Sequence, residues 1–243
     1  MERPTDEEIL KYERQIKDQE IGNTPLVSTE YLNGDPIYHS KLVHLKSSGC
    51  KMRTIKKDGN CFYRAFAFRF CELVRDQPPD LKDKLIQKCV STKDLLAQTG
   101  YDLSILEDFY DPFYEALSSD KDLLEIFTTE YLSDTIVCFL RILTAALLKR
   151  DRELYEVFVL DSYPTLEAFI SACVEPMYVE SDQIHIVAMA NTFNITIRVG
   201  NLDTTPTEKI NYHEISPMDG ESTLSLSLLF RPGHYDILYD DKL

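Results

Sequence analysis

The chain has 243 residues, 44% of them hydrophobic and 28% charged, an ordinary globular composition with enough length to bury one sizeable core. A formal net charge of −15 argues against a phosphate backbone held by Lys and Arg, so the expected partner is a protein with a basic face and not a nucleic acid. The six cysteines contain no C-x-x-C pair and the histidines do not cluster, which excludes a zinc finger or a thioredoxin-like motif and points to free thiols in a reducing compartment.

The first residues are charged from position 2 and lack an apolar stretch before a small-residue cleavage site, so no secretory signal is expected and the chain is placed in the cytoplasm, with the nucleus also open to it. The TDEE run at 5–8 is a capping box, and Gly22 with Pro25 supplies a stop, so a helix is predicted over 6–21. Its apolar residues, among them Ile9, Tyr12 and Ile16, are few against its charges. It is therefore expected to be an arm that becomes helical when something binds it. Turn-forming clusters at 22–50 suggest a segment lying over the surface, with the core beginning near Lys51.

The run CFYRAFAFRFCELV at 61–74 places Phe62, Ala65, Phe66, Phe70 and Val74 at helical spacing, which predicts a central buried helix starting at or near Cys61. A second core helix is predicted over 133–150, capped by Ser133 and ending in Lys149 and Arg150. The TIVCFLRILTAALLKR stretch inside it is short for a membrane span and carries Arg141, so no membrane segment is expected. Toward the end of the chain the pattern changes to strands at 195–199, 224–230 and 234–239, the last two joined by Arg231, Pro232 and Gly233. Positions 201–222 read as loop. Helices early and strands late predict an α+β fold with the sheet packed on the Cys61 helix.

Two places carry chemistry. Asp58, Gly59 and Asn60 form a turn that delivers Cys61 to the first turn of a helix, where unpaired N–H groups and the positive dipole end favour a thiolate. The amides of Asp58, Gly59, Asn60 and Cys61 are also candidates to receive an oxyanion. In a strand at 234–239, His234 and Asp236 share a face, so Asp236 can hold the imidazole while Tyr235, Ile237 and Tyr239 point to the other side. Taken singly, a helix-start cysteine is more often a packed thiol and a strand histidine a satisfied structural one. The combination, in the order Cys, His, Asp, points to papain-like amide hydrolysis through Cys61, His234 and Asp236 with no metal or organic cofactor.

Three separated blocks, KKDGNCFYRAF around Cys61, VEPMYVESDQIHI at 174–186 and RPGHYDILY at 231–239, resemble the otubains, ovarian-tumour-class deubiquitinases. An NTPLVS-containing amino-terminal stretch is similar to the longer-armed type. The resemblance implies a papain-like α+β core with a small, mostly antiparallel sheet between helices, an arm and surface segment over 1–50 and a catalytic domain over 51–243. It further implies an active site carried by Asp58, Cys61, His234 and Asp236, and hydrolysis of ubiquitin–ubiquitin isopeptide bonds of the proteasome-targeting linkage. Implied partners are ubiquitin, polyubiquitin chains and ubiquitin-conjugating enzymes. The arm residues Ile9, Tyr12 and Ile16 would meet proximal ubiquitin, and Glu175, Met177, Asp182 and His185 distal ubiquitin. An alternative reading is a non-catalytic inhibitor of ubiquitin-charged conjugating enzymes, and a third is a cysteine hydrolase or acyltransferase acting on another acyl donor.

Overall fold

A computed structural model describes Ile21, residues 36–207 and residues 209–240. The helix predicted at 6–21, with Ile9, Tyr12 and Ile16, lies outside the described residues except for Ile21. Helix α1, Pro36–Ser47, comes first and leads into strand β1, Lys51–Arg53. Helix α2, Cys61–Arg75, follows and begins at the predicted residue. Its residues from Cys61 to Cys71 are all buried, because the helix runs through the middle of the main core. Around it pack α3, Pro79–Gln98, α4, Leu103–Ser118, α5, Leu123–Thr128, and α6, Glu130–Arg150.

Helix α6 starts before the predicted position, and this changes the role of Ser133. Thr129 is the cap residue, and Ser133 lies within the helix as a buried acceptor for Arg64 Nε at 2.9 Å. At 21 residues α6 is also longer than its apolar run suggests, and by length and composition it could cross a membrane. Most of it is instead buried inside this fold against the other helices, with the Arg141 side chain enclosed. Two short turns, α7, Arg152–Tyr155, and α8, Leu166–Phe169, lead through a wider π-type turn at Ile170–Val174 to α9, Gln183–Phe193.

Strands β2, Thr196–Asn201, β3, Asn211–Ile215, β4, Ser225–Arg231, and β5, His234–Tyr239, complete a five-stranded sheet among the described residues, in the order β1-β5-β4-β2-β3. Three pairings are antiparallel and one, β2 with β4, is parallel. The expected mostly antiparallel sheet is therefore present. Strand β3 lies inside the stretch read as loop, its mostly exposed residues lacking the apolar alternation that marks a half-buried strand.

The sheet has helices on both faces. Tyr235 and Ile237 of β5 face α2, where the Tyr235 ring meets Phe62 edge-on at 5.5 Å. On the opposite face Leu42 and Leu45 of α1 join Met52, Leu202, Leu229 and Leu238 in a second core. The surface segment expected before Lys51 thus contains a packed helix. Its pattern is disguised by Lys41, which is fully buried and ion-paired with Asp203 while donating to Thr205 Oγ1 at 3.0 Å.

Candidate active site

The Pro232–Gly233 pair makes the β4–β5 hairpin turn, with Gly233 at φ +72° and the register Arg231↔His234 across it. His234 therefore opens β5 with Asp236 on the same face. His234 Nε2 and Asp236 Oδ1 lie 2.9 Å apart, both residues almost wholly buried. The same Asp236 oxygen accepts the Ile55 N–H at 2.9 Å, and Arg231 Nη2 is 3.5 Å from its other oxygen. Burial alone would pull the imidazole pKa down. The hydrogen bond to Asp236 and the nearness of Cys61 outweigh it and push His234 up to about 9. His234 Nδ1 is buried without a hydrogen bond of normal geometry among the described residues. Cys61, from a chain segment far away in sequence, is joined to the same strand by the Tyr235 N–H, which points at Sγ from 3.4 Å.

The turn before Cys61 is held by two buried arginines. Arg64 donates to Asp58 Oδ1 at 3.0 Å, to Asp134 Oδ1 at 2.8 Å and to Ser133. Asp58 Oδ1 also accepts the Asn60 N–H at 2.9 Å, while the Asp58 N–H donates to Lys56 O. The hydrogen bonds of the Asp58 side chain thus shape the turn and do not reach His234. Because the amides of Asp58 and Asn60 already have acceptors, the candidate oxyanion donors narrow to Gly59 and Cys61.

Arg141, from the middle of α6, is the second clamp. It donates to Asn60 Oδ1 and Gly59 O at 3.0 Å, to Val174 O at 3.1 Å and to Val179 O at 2.6 Å, with its guanidinium 4.9 Å from the centre of the Tyr63 ring. Asn60 Oδ1 also accepts the Tyr178 N–H at 2.9 Å, so the side chain that could have capped α2 instead ties the cysteine turn to the 174–179 segment. Sequence reading treats Arg141 only as a break in an apolar run. Its one available signal is a lone arginine inside a helix otherwise apolar nearly all round, since such a charge must be paired if it is buried.

Gly59 is required by this packing. It sits at φ +79°, and a Cβ there would lie 2.4 Å from Tyr178 O and 2.5 Å from Tyr178 C, backbone atoms that cannot swing away. Gly59→Ala is expected to cost roughly 2–4 kcal/mol, from the left-handed backbone and the displaced 174–179 segment together. Thermal denaturation measures that cost, and thiol alkylation of Cys61 reports whether the turn has moved.

The residues expected to meet distal ubiquitin separate into two groups. Glu175 is half-buried, its Oε1 accepting from Tyr101 at 2.6 Å and Lys149 at 3.0 Å. Met177 packs against the main core, and His185 is buried, bonded to Asp182 Oδ1 at 2.9 Å and near Cys173 O at 3.2 Å. His185 is thus enclosed, while Glu175 and Met177 keep part of their surface open beside their internal contacts. Asp182, the cap of α9, stays at the rim of a cleft of about 360 Å³ lined by Cys61, Glu180, Gly233, Phe230 and Tyr235. Beyond Asp182 and Gln183 the cleft adjoins an apolar cavity of about 530 Å³ lined by Phe158, Val159, Phe169, Val187 and Met218. Phe158 and Met218 are exposed there.

Residues 14–240 match the family Peptidase C65 Otubain. The human protein named ubiquitin thioesterase OTUB1 is 35% identical over 249 residues, covering 96% of this chain and 90% of that protein. An Arabidopsis thaliana ovarian tumor domain-containing deubiquitinating enzyme is 33% identical, covering 88% of this chain and 77% of that protein. A solved complex described as h/ceOTUB1, ubiquitin aldehyde and UBC13~Ub superposes with a TM-score of 0.78 at 25% identity, covering 96% of this chain and 98% of that one.

Proposed function

The chain belongs to the otubain family of cysteine peptidases, and from that premise we propose that it cleaves isopeptide bonds of the proteasome-targeting ubiquitin linkage through Cys61, His234 and Asp236. The observation that carries the reading is the buried His234–Asp236 pair set against the Cys61 thiol, which gives the nucleophile a base held in place by a carboxylate. The sulfur attacks the isopeptide carbonyl, and the Gly59 and Cys61 amides receive the oxyanion. His234 protonates the departing lysine amine and afterwards takes a proton from the water that releases the thioester. Asp58 and Arg64 keep the turn in shape and stay outside the proton transfers.

Distal ubiquitin is assigned to the apolar cavity beside the cleft. The cavity shares Asp182 and Gln183 with the Cys61 cleft, and the superposed h/ceOTUB1 complex contains ubiquitin aldehyde. A ubiquitin seated there by an apolar patch would reach Cys61 with its C-terminal tail. The arm is assigned to proximal ubiquitin, and ubiquitin-conjugating enzymes are proposed as partners because the same complex contains UBC13~Ub. Blocking such an enzyme without catalysis is the second activity proposed for the same chain.

A panel of linkage-defined diubiquitins tests the specificity. Cleavage of the proteasome-targeting linkage is expected to exceed the others by at least about tenfold in kcat/KM, roughly 1.4 kcal/mol of discrimination in the transition state. Equal cleavage of all linkages would remove the linkage assignment and leave the hydrolase.

A further inference from the structure

Strand β1 pairs with β5 over its three residues only, the last pair being Arg53↔Ile237. Ile55 lies just beyond that ladder, in the run leading to the Asp58 turn. Its N–H nevertheless donates to Asp236 Oδ1 at 2.9 Å, the oxygen that also meets His234 Nε2. A backbone donor in a stretch past the end of a ladder holds a carboxylate in place only if something holds the stretch. Ile55 is backed by an isolated antiparallel bridge to Ile21, whose side chain is fully buried in the same core as Ile55, Cys61 and Phe62.

We propose that Ile21 is a positioning residue for the hydrolysis: its buried side chain anchors the backbone bridge to Ile55, which fixes the N–H that orients Asp236, and through Asp236 it sets the His234 imidazole. The inference rests on the Cys61–His234–Asp236 reading and adds to it a residue far from the site in sequence. The Ile21 side chain is fully buried, so with a substrate that lacks a proximal ubiquitin its effect is expected on kcat and not on KM. Asp236 stabilises the imidazolium, so a displaced Asp236 lowers the pKa of His234. The charged partner of the thiolate is then lost at lower pH, and the alkaline limb of the rate profile moves down.

The test uses the full-length chain and a monoubiquitin carrying a fluorogenic amine on its C-terminal carboxyl, a substrate with no proximal ubiquitin for the arm to contact. Ile21→Ala is expected to lower kcat about tenfold, with KM within about twofold of the native value. Its alkaline limb is expected to fall by about half a pH unit or more, toward that of Asp236→Asn. Ile21→Val, lacking one methylene, falls between native and Ala in both readouts and keeps the test legible if the alanine variant does not fold. Leu45→Ala, a cavity of similar size in the second core, is expected to lower the melting temperature without moving the limb. Native kcat and a native alkaline limb in whichever Ile21 variants fold would overturn the inference, even with a lowered melting temperature. If Asp236→Asn leaves the limb in place or Cys61→Ala still turns over, the catalytic reading itself fails and the inference with it.

Discussion

Replacing Cys61 with alanine is expected to abolish isopeptide cleavage, a fall of at least about 10⁴-fold in kcat, while block of a ubiquitin-charged conjugating enzyme persists. The size of the loss follows from how nucleophile and base act as a unit. His234 and Asp236 without a thiol have no atom to attack the carbonyl, and only oriented binding and the amides of the turn remain. The fold should survive. Cys61 is the first residue of α2 and almost wholly buried, alanine is the better helix former there, and the volume lost is that of a single sulfur. Gel assays of the preferred diubiquitin and of chain synthesis by a charged conjugating enzyme, run on the same preparation, separate the two activities. Cleavage retained by the alanine variant would exclude Cys61 as nucleophile. Cleavage absent from both proteins, with block retained by both, would make this chain an inhibitor on an enzyme scaffold. Loss of block together with cleavage would tie both activities to the thiol.

The second large effect is expected at Arg141, which touches no substrate in the proposed mechanism. Arg141→Met removes the donors to Gly59 O, Asn60 Oδ1, Val174 O and Val179 O and leaves buried oxygens without them. Each such loss costs about 1–3 kcal/mol, and since the bonds form one network the whole is expected near 3–5 kcal/mol, not their sum. The catalytic effect is separate from the stability effect. Released from Arg141, the turn carrying Gly59 and the segment carrying Glu180 can drift apart, and a displacement of about 1 Å at the oxyanion donors is enough for roughly a 10²-fold fall in kcat. Arg141→Lys distinguishes charge from geometry. A lysine keeps the cation in the core, but an ammonium on a single stem cannot serve four acceptors spread over two chain segments, so it is expected to recover stability in part and kcat little. Denaturant midpoints and kcat at a temperature where each variant is folded measure the two effects independently. A lysine variant with native kcat would reduce Arg141 to a buried charge and remove it from the positioning of the turn.

The groups of the site differ in how locally the chain specifies them. Cys61 at a helix start after Asp58, Gly59 and Asn60 could be read directly, because a turn, a cap position and an apolar helical period are properties of a few neighbouring residues. The His234–Asp236 pair was equally legible, since the two-residue period of a strand fixes which side chains share a face. The roles of individual groups around them were not. Asn60 and Ser133 have the residue types of helix caps, yet Asn60 Oδ1 serves Arg141 and Tyr178 and Ser133 serves Arg64, because buried arginines compete for the same oxygens. Glu175 and His185 have the residue types of a recognition surface, yet internal partners hold both.

The sequence by itself determined the class of chemistry, the nucleophile and base candidates, the α+β order of elements and the central helix, all through periods and turns that act over one or two helical turns of chain. Tertiary structure decided what holds the site. Arg141 lies 81 and 82 positions from the residues of the turn it clamps. Ile55 meets Asp236 across 181 positions. The helix α1 that covers the second face of the sheet hides its apolar stripe behind a lysine whose partners lie 162 and 164 positions on. A hydrogen bond between such distant groups leaves no period in the sequence. It exists because a buried donor or acceptor without a partner is costly, and only the assembled fold fixes which groups are buried together.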